Sequence, residues 1–346
     1  MSFTLQQSPF LAPLFGDAEI AGLFSSEADL SAMLRFETAL AQGQANHGFI
    51  SKAAAQEIAT KLKTFKPDQA KLSAGVSQDG MIVPALVSQL KAAINQHVHF
   101  GATSQDAIDT SLMLRTRQAF QILQHRIDGL IVRLEMLAKS DGKHRLMART
   151  RMQQALPMTV ADRLATWRTG ISDARAAVEA CRFPLQFGGP IGILSEFGDK
   201  ASGLKSDLAL SLELEFKADN WHSSRAPILA LGNAASQVTG ALGKIGADFC
   251  LMAQNEVAEV KFSDAGTSSA MQHKQNPIVA EALVTLARFN ATLISGLHHS
   301  MVHEQERSGA AWALEWLLLP QIIVAAGAAT RQGERLFGSI LGMGHP

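Results

Sequence analysis

Cysteine is scarce in this chain, and its scarcity excludes two kinds of scaffold. Only Cys181 and Cys250 occur among 346 residues, and they form neither a CxxC pair nor another metal-ligand spacing. A disulfide framework or a structural zinc site needs more cysteines at repeated spacing. With a hydrophobic content of 47%, the chain can instead bury a large core, and a reducing compartment is predicted.

An excess of either charge is also lacking. Lysine plus arginine and aspartate plus glutamate number 31 each, so no overall field attracts nucleic acid or an anionic membrane. The N-terminus has no basic stretch followed by an apolar run, and no window reaches the roughly 18 apolar residues that a membrane span needs. We predict a cytoplasmic protein with local anion recognition and with neither a nucleic-acid nor a membrane partner.

Cofactor signatures are missing as well. The sequence contains no Walker loop and no dinucleotide fingerprint. Carboxylates and histidines do not form a ligand set at i, i+4 spacing, and the adjacent His298 and His299 cannot both face one metal from a helix. The sequence therefore predicts an activity without a metal or a nucleotide cofactor.

Helical spacing of apolar residues is present nearly everywhere, whereas strand-like alternation is almost absent. The clearest helical pattern is a coiled-coil-like seam of Leu123, Ile127, Leu130, Leu134 and Leu137. Long helices are predicted over about 106–138, 223–261 and 276–299. Helices of this length need partners along their whole length, so we predict an all-α fold built on a long-helix bundle.

Clusters of glycine, proline and serine predict loops at 71–84, 183–198 and 263–277. These breaks suggest two regions. We predict a small N-terminal helical domain over residues 1–100 and a long-helix bundle domain over residues 101–346.

The stretch AGTSSAMQHKQNP, residues 265–277, is the most informative one for function. It places Ser268, Lys274 and Asn276 in one loop ahead of a helix, where a lysine charge and amide donors can surround a carboxylate. Pro277 suits the first turn of that helix. The alternative is a polar helix-entry loop, because capping uses the same residue types.

Two further polar stretches adjoin predicted helices. HFGATSQDAIDT, residues 99–110, sets Thr103 and Ser104 ahead of the longest helix, whose positive N-terminal end assists anion binding. An ordinary N-cap by Ser104 or Asp106 is the alternative. ARTRMQQALP, residues 148–157, interrupts a helical pattern and contributes Thr150, Arg151 and Gln153.

In order and spacing, these three stretches resemble the three signature regions of the fumarase/aspartase superfamily. The loop resembles the family pattern GSSxMPxKxNP and keeps Ser268, Ser269, Met271, Lys274, Asn276 and Pro277. The resemblance implies that Ser268 is the catalytic base, while Lys274 and Asn276 hold a substrate carboxylate and its aci-form. The substrate-binding residues that it implies are Thr103, Ser104, Thr150, Arg151, Gln153 and Met271.

Within the superfamily, the chain is most similar to the bacterial carboxymuconate cycloisomerases. GATSQDAIDT looks like their version of the first region, and ADNWHSSRAPI and HEQERSGAAWALEW resemble two later stretches. The resemblance runs from FETALAQGQANHGFI to ALEWLLLP, and the small C-terminal domain common in the family is expected to be missing. It implies a lactonisation in aromatic catabolism by homotetramers whose sites combine residues of three subunits.

Arg151 departs from the family pattern, because many family lyases carry a histidine there as the proton donor or its partner. An arginine is no general acid at neutral pH, which argues against fumarate-releasing activities. Lactonisation needs no such donor, and a fixed guanidinium can bind an extra carboxylate. Gln272 and Thr267 also replace the usual Pro and Gly of the loop.

The proton carrier is then sought among the histidines of the matched stretches, which are His99, His222, His273 and His303. Of these, His222 is the first candidate for the proton carrier, and Arg225 is expected beside it in the site. The alternative is that His222 is a surface or core-edge histidine without a catalytic role. Glu306 and Arg307 are expected either to form an ion pair within the bundle near the site or to stabilise a helix as solvated charges, and the structural role is favoured. Three other functions stay open: a related muconate as substrate, a fumarate-releasing lyase, and a non-enzymatic scaffold, against which the retained loop residues argue.

Overall fold

The computed structural model describes residues 8–94, 97–264, 266 and 275–345. The helices are α1 Ala12–Phe15, α2 Ala18–Gly22, α3 Ser26–Asn46, α4 Lys52–Leu62, α5 Gln69–Asp79, α6 Val83–Ala93, α7 Ser104–Asp141, α8 Val160–Glu179, α9 Ala201–Leu212, α10 Ala226–Met252, α11 Ile278–His299 and α12 Ala310–Gly338. A 3-10 helix spans Ser195–Lys200. Two antiparallel strand pairs join β1 Arg145–Thr150 to β2 Gln153–Thr159, and β3 Val260–Phe262 to β4 Ile340–Met343. The predicted all-α fold class is confirmed.

The longest helix, α7, contains the predicted apolar seam. It has 38 residues, which correspond to about 57 Å at about 1.5 Å per residue. The side chains of Leu123, Ile127, Leu130 and Leu134 are at most 1% exposed, while Leu137 is half-buried. The seam thus holds α7 against its neighbours along most of its length.

A bundle of long helices forms the centre of the protein. It consists of α7, α8, α10, α11 and α12, and α12 is buried without interruption over residues 322–330. The backbones of α10 and α11 approach closely, because a Cβ atom on Gly246 would lie 2.5 Å from the carbonyl oxygen of Ala280. The α11 prediction is confirmed to within two residues, whereas α10 ends at Met252 and is shorter than predicted.

The N-terminal helices pack onto the start of α7. Phe36 of α3 is fully buried, and its ring centroid lies 6.5 Å from that of Phe187 in the loop 183–198. The apolar core runs without a break from these helices into the bundle. The division of the chain into two domains near residue 100 stays a prediction.

One predicted loop is wrong. Residues 71–84 are largely helical, because the side chain of Asp68 caps α5 by accepting from the backbone N–H of Ala70 at 3.0 Å. The helix continues to Asp79, and Gly80 ends it with a φ of 75°, the left-handed conformation that glycine adopts at low cost. The glycine therefore marks a helix end within this stretch.

The prediction that no segment is apolar and long enough for a membrane span is wrong for two helices. By length and composition, α11 and α12 are both long and apolar enough to cross a membrane. Core helices of soluble proteins pass the same test, and 61% of the relevant window of α12 is buried. In α11 the buried share is 33%, so much of this helix faces outward from the single chain.

Candidate functional site

The start of α7 is fixed by one buried carboxylate. Thr103 is the N-cap residue and Ser104 the first helical residue. The Oδ2 atom of Asp106 accepts hydrogen bonds from the backbone N–H groups of Thr103 at 3.0 Å and Gly189 at 2.9 Å, and Oδ1 accepts one from Gly188 at 2.8 Å. The N-cap is thus Thr103 and not Ser104 or Asp106, and Asp106 takes part in the cap as the third residue of the helix. The same contacts hold Thr103 and Ser104 against the loop 183–198. Anion binding by Thr103 and Ser104 stays a prediction.

His222 belongs to this buried polar group. It is 1% exposed, and its Nε2 atom lies 3.0 Å from Oδ1 of Asp106. Its Nδ1 atom is also buried and has no hydrogen-bond partner among the described residues. The backbone oxygen of His222 accepts from Nε2 of Gln105 at 2.8 Å, so both ends of the residue are tied to α7. The alternative of a surface or core-edge histidine is therefore wrong, because His222 lies in the interior.

Arg225 is the centre of a second buried group. Its guanidinium donates to Asp109 at 2.7 and 3.0 Å and to Glu315 at 2.6 Å, and all three side chains are 0% exposed. Burial lowers the pKa of Arg225, but the two carboxylates outweigh burial and raise it. Because its donors are occupied by protein carboxylates, Arg225 joins α7, α10 and α12 and has little capacity left for a substrate.

The other histidines of this region, His99 and His303, lie beside buried carboxylates. Nδ1 of His99 is 2.6 Å from Oε1 of Glu37. Burial lowers the pKa of His99, but the charge and hydrogen bond of Glu37 outweigh it, so the pKa is raised. Nε2 of His303 lies 3.3 Å from Oε1 of Glu315 without the alignment of a hydrogen bond. His273 lies outside the described residues.

Arg307 lies outside the helices and bonds to two elements of the same region. Its Nε atom donates to Oε1 of Gln105 at 2.8 Å, and Nη2 donates to the carbonyl oxygen of Pro190 at 3.1 Å. Glu306 is exposed. Arg307 therefore links the start of α7 to the loop 183–198 through Gln105.

Thr150, Arg151 and Gln153 lie on a β-hairpin where the sequence shows no strand alternation. β1 pairs with β2 around a turn in which Arg151 and Met152 have φ values of 49° and 66°. The three polar residues are exposed. Much of the hairpin faces solvent, so burial does not impose an apolar-polar alternation on its sequence.

A cleft of about 660 Å³ lies beside this hairpin and the end of α10. Its charged lining residues are Arg149, Arg151, Arg163, Lys244, Asp248 and Glu259. Nη1 of Arg149 lies 3.1 Å from Oε2 of Glu259, and Lys244 pairs with Asp248. Arg151 is thus part of a cleft rich in cations.

The signature loop is described only at its ends. Ser268, Met271 and Lys274 lie outside the described residues, as do Thr267, Ser269 and Gln272. Asn276 exchanges two backbone hydrogen bonds of 2.9 Å with Gly266, which brings the two ends of the loop together. Among the described residues, no hydrogen bond or ion pair joins Asn276 to the start of α7 or to the hairpin turn.

Several residues of these polar groups were not found from the sequence. Asp109 and Glu315 hold Arg225, and Nε1 of Trp312 donates to Oδ1 of Asp109 at 3.0 Å. The three-residue spacing of Asp106 and Asp109 places both on one face of α7, and this is the sequence signal from which a shared polar interior could have been predicted. In the described part of the chain, no group of three histidine, cysteine or acidic residues is arranged to hold a metal ion.

Comparisons with known proteins agree on one family. The model of a family described as "Lyase" matches residues 17–291. The chain is 36% identical to the 3-carboxy-cis,cis-muconate cycloisomerase of Acinetobacter baylyi, over 96% of this chain and 77% of the relative. It is 34% identical to the enzyme of that name from Bradyrhizobium diazoefficiens, over 93% and 74%. The crystal structure of beta-carboxy-cis,cis-muconate cycloisomerase from Acinetobacter calcoaceticus superposes with a TM-score of 0.87 at 32% identity, over 96% of this chain and 77% of that one.

Proposed function

The chain belongs to the lyase family of the fumarase/aspartase superfamily, and on that premise we propose that it is a cycloisomerase that lactonises 3-carboxy-cis,cis-muconate. The observation that carries the proposal is the identity of 36% with a cycloisomerase of that name over 96% of this chain. The buried hydrogen bonds of Asp106 and Arg225 support the proposal, because they fix the start of α7, where Thr103 and Ser104 lie.

In the proposed reaction, a carboxylate oxygen of the substrate adds to an alkene carbon of the same molecule. A carbon–oxygen bond forms, and the electron pair of the double bond moves onto the carboxylate conjugated with it as an aci-form. The aci-form then collapses as the carbon beside that carboxylate takes up one proton, which comes from water through the proposed relay. No atom is lost. Lys274 and Asn276 stabilise the aci-carboxylate by fixed charge and hydrogen bonds, and Ser268 is the proposed proton relay.

The proposed substrate binding uses the other two signature regions. Thr103 and Ser104 donate to one carboxylate at the N-terminal end of α7. Arg151, with Thr150 and Gln153 on the same hairpin, binds the additional carboxylate of a tricarboxylic muconate, since a guanidinium matches a carboxylate with two parallel hydrogen bonds. Met271 is the proposed substrate-binding residue of the third signature region. No metal or nucleotide takes part in this scheme.

The assembly proposed with this function is a homotetramer whose sites combine residues of different subunits. On α7, Val132 and Met136 are 54% and 63% exposed. Exposed apolar side chains one helical turn apart are typical of a face that another subunit covers.

A mixing experiment tests the shared site. Lys274→Ala and Arg151→Ala chains, each inactive alone, are unfolded together, refolded and assayed. If the two residues reach one site from different subunits, random mixing restores intact residues at about a quarter of the sites. Activity restored only to the sum of the separate variants, in a confirmed tetramer, contradicts sharing; full activity of a monomer contradicts the need for assembly.

The cytoplasm is the proposed location. Burial raises the pKa of the Cys181 and Cys250 thiols to about 11, so both are protonated at neutral pH, and both are free. Protonated thiols are poor nucleophiles, which suits cysteines retained for packing in a reducing compartment.

The proposed reaction is tested with purified protein and 3-carboxy-cis,cis-muconate by following the absorbance of the conjugated diene, with a chelator present. Loss of absorbance with formation of the lactone is the expected result. Adenylosuccinate and argininosuccinate are assayed in parallel. Fumarate release from either, without lactonisation, replaces the proposal with a lyase activity, and no reaction from a folded tetramer contradicts it.

A further inference from the structure

We infer that the cleft beside the β1–β2 hairpin is a polycarboxylate-binding site in which the guanidinium of Arg163 is available to bind one of the carboxylates. The inference rests on the proposed function, because it names the residue that receives a carboxylate in addition to Arg151. Arg163 belongs to none of the three signature stretches, and its place in the cleft comes from the fold.

Arg163 is a half-buried guanidinium with weak partners. Its Nη1 atom lies 3.7 Å from Sδ of Met252, and Nη2 lies 3.7 Å from Sδ of Met158. A thioether sulfur is a weak hydrogen-bond acceptor, so these contacts replace little of the water that the guanidinium loses. Among the described residues, no carboxylate forms an ion pair with it. A partly desolvated cation of this kind gains much from an anionic ligand.

The charges around Arg163 favour an anion with more than one carboxylate. Four cations and two carboxylates line the cleft, which leaves two positive charges in excess. The carboxylates of Glu259 and Asp248 already pair with Arg149 and Lys244. The excess therefore lies on Arg151 and Arg163, which come from the hairpin turn and from α8.

The volume of the cleft agrees with a small ligand. About 660 Å³ lies within the range of roughly 300–1,000 Å³ that is usual for small-molecule sites. Two guanidinium groups on different elements can each take one carboxylate in a bidentate manner. A dicarboxylate or tricarboxylate fits this arrangement, whereas a monocarboxylate engages only one of the two.

The inference is tested by calorimetry on the full-length chain with propane-1,2,3-tricarboxylate, a saturated compound that cannot lactonise. Arg163→Met keeps the length and packing of the side chain and removes its charge. We expect its dissociation constant to rise about ten- to hundredfold, the loss of one charged hydrogen-bonding group. Arg163→Lys keeps the charge but lacks the planar guanidinium. Its dissociation constant is expected to lie between those of the unmodified chain and Arg163→Met.

Arg168→Met is the matched control. Arg168 lies on the same helix outside the cleft and is 55% exposed. Its Nη1 atom is 3.4 Å from Oε1 of Glu135. The affinity of this variant for the tricarboxylate is expected to equal that of the unmodified chain. Acetate serves as the monocarboxylate, and its binding is expected to be weaker and less sensitive to Arg163→Met.

Equal affinity of Arg163→Met and the unmodified chain overturns the inference, as does no binding of the tricarboxylate by the unmodified chain. If Arg163→Met loses its fold, judged by its melting temperature, the Arg163→Lys variant decides: an unchanged affinity overturns the inference. Binding is measured without turnover. The chain could therefore bind the tricarboxylate through Arg163 and yet not lactonise carboxymuconate. That result would support the binding site and contradict the proposed reaction.

Discussion

The Nε2 atom of His222 lies 3.0 Å from Oδ1 of Asp106, although the residues are 116 positions apart. The same carboxylate accepts the backbone N–H groups of Thr103, Gly188 and Gly189. One buried side chain thus connects the start of α7, the loop 183–198 and the stretch before α10. The positions of Thr103 and Ser104 at the start of α7 depend on this connection.

His222→Leu tests whether this histidine positions Asp106 or carries a proton. We expect the variant to lose about 1–3 kcal/mol of unfolding free energy, because a buried carboxylate loses a donor. The pH dependence of kcat in the remaining activity is expected to stay unchanged. Urea unfolding and a pH–rate profile measure the two effects.

The control for His222→Leu is His47→Leu, since His47 pairs with the half-exposed Asp207 at 2.9 Å and its loss is expected to cost at most about 1 kcal/mol. Disappearance of one limb of the pH–rate profile in His222→Leu assigns the proton transfer to His222 instead.

Arg225→Met tests the second buried group. It leaves Asp109 and Glu315 without their shared cation in an environment closed to water. Removing one partner of a buried ion pair costs about 3–5 kcal/mol, and we expect a loss of that size in chemical denaturation. Arg168→Met removes an exposed pair and is expected to cost at most about 1 kcal/mol. A loss equal to that of the control contradicts a structural role for Arg225.

The His99–Glu37 pair predicts a pH-dependent stability. The folded-state pKa of His99 is raised above its ordinary value of 6.5, so its contribution is complete below 6.5 and is lost as the pH rises through the folded-state pKa. We expect His99→Gln to destabilise the protein more at about pH 5.5 than at about pH 8.5. Equal losses at both pH values show that the imidazolium charge contributes nothing.

Lys274→Ala tests the proposed stabilisation of the aci-carboxylate. Removing one oxyanion donor lowers turnover roughly hundredfold or more, and we expect that loss in kcat with a native melting temperature. Lys261→Ala is the control, because Lys261 is an exposed lysine in β3 near the start of the loop. Near-normal turnover of a folded Lys274→Ala variant removes this lysine from the mechanism.

Local patterns were sufficient for α7, for α11 and for the family, whereas α12 was not predicted and α10 is shorter than predicted. The seam of Leu123, Ile127, Leu130 and Leu134 repeats at helical spacing, and burial of that stripe follows directly from it. α11 was predicted to within two residues for the same reason. Periodicity failed at the hairpin, where exposed strands carry no apolar alternation, and at residues 71–84, where a capping aspartate outweighed the glycines and serines.

By itself, the sequence determined the all-helical architecture and the three signature stretches, because both depend on residue type and spacing along the chain. Only the tertiary structure decided the contacts of His222, Arg225 and Arg163. The partners in those contacts are Asp106, Asp109, Glu315, Met158 and Met252, and all but Met158 come from distant parts of the chain. Burial and charge pairing arise only when these segments meet, so no local pattern contains them.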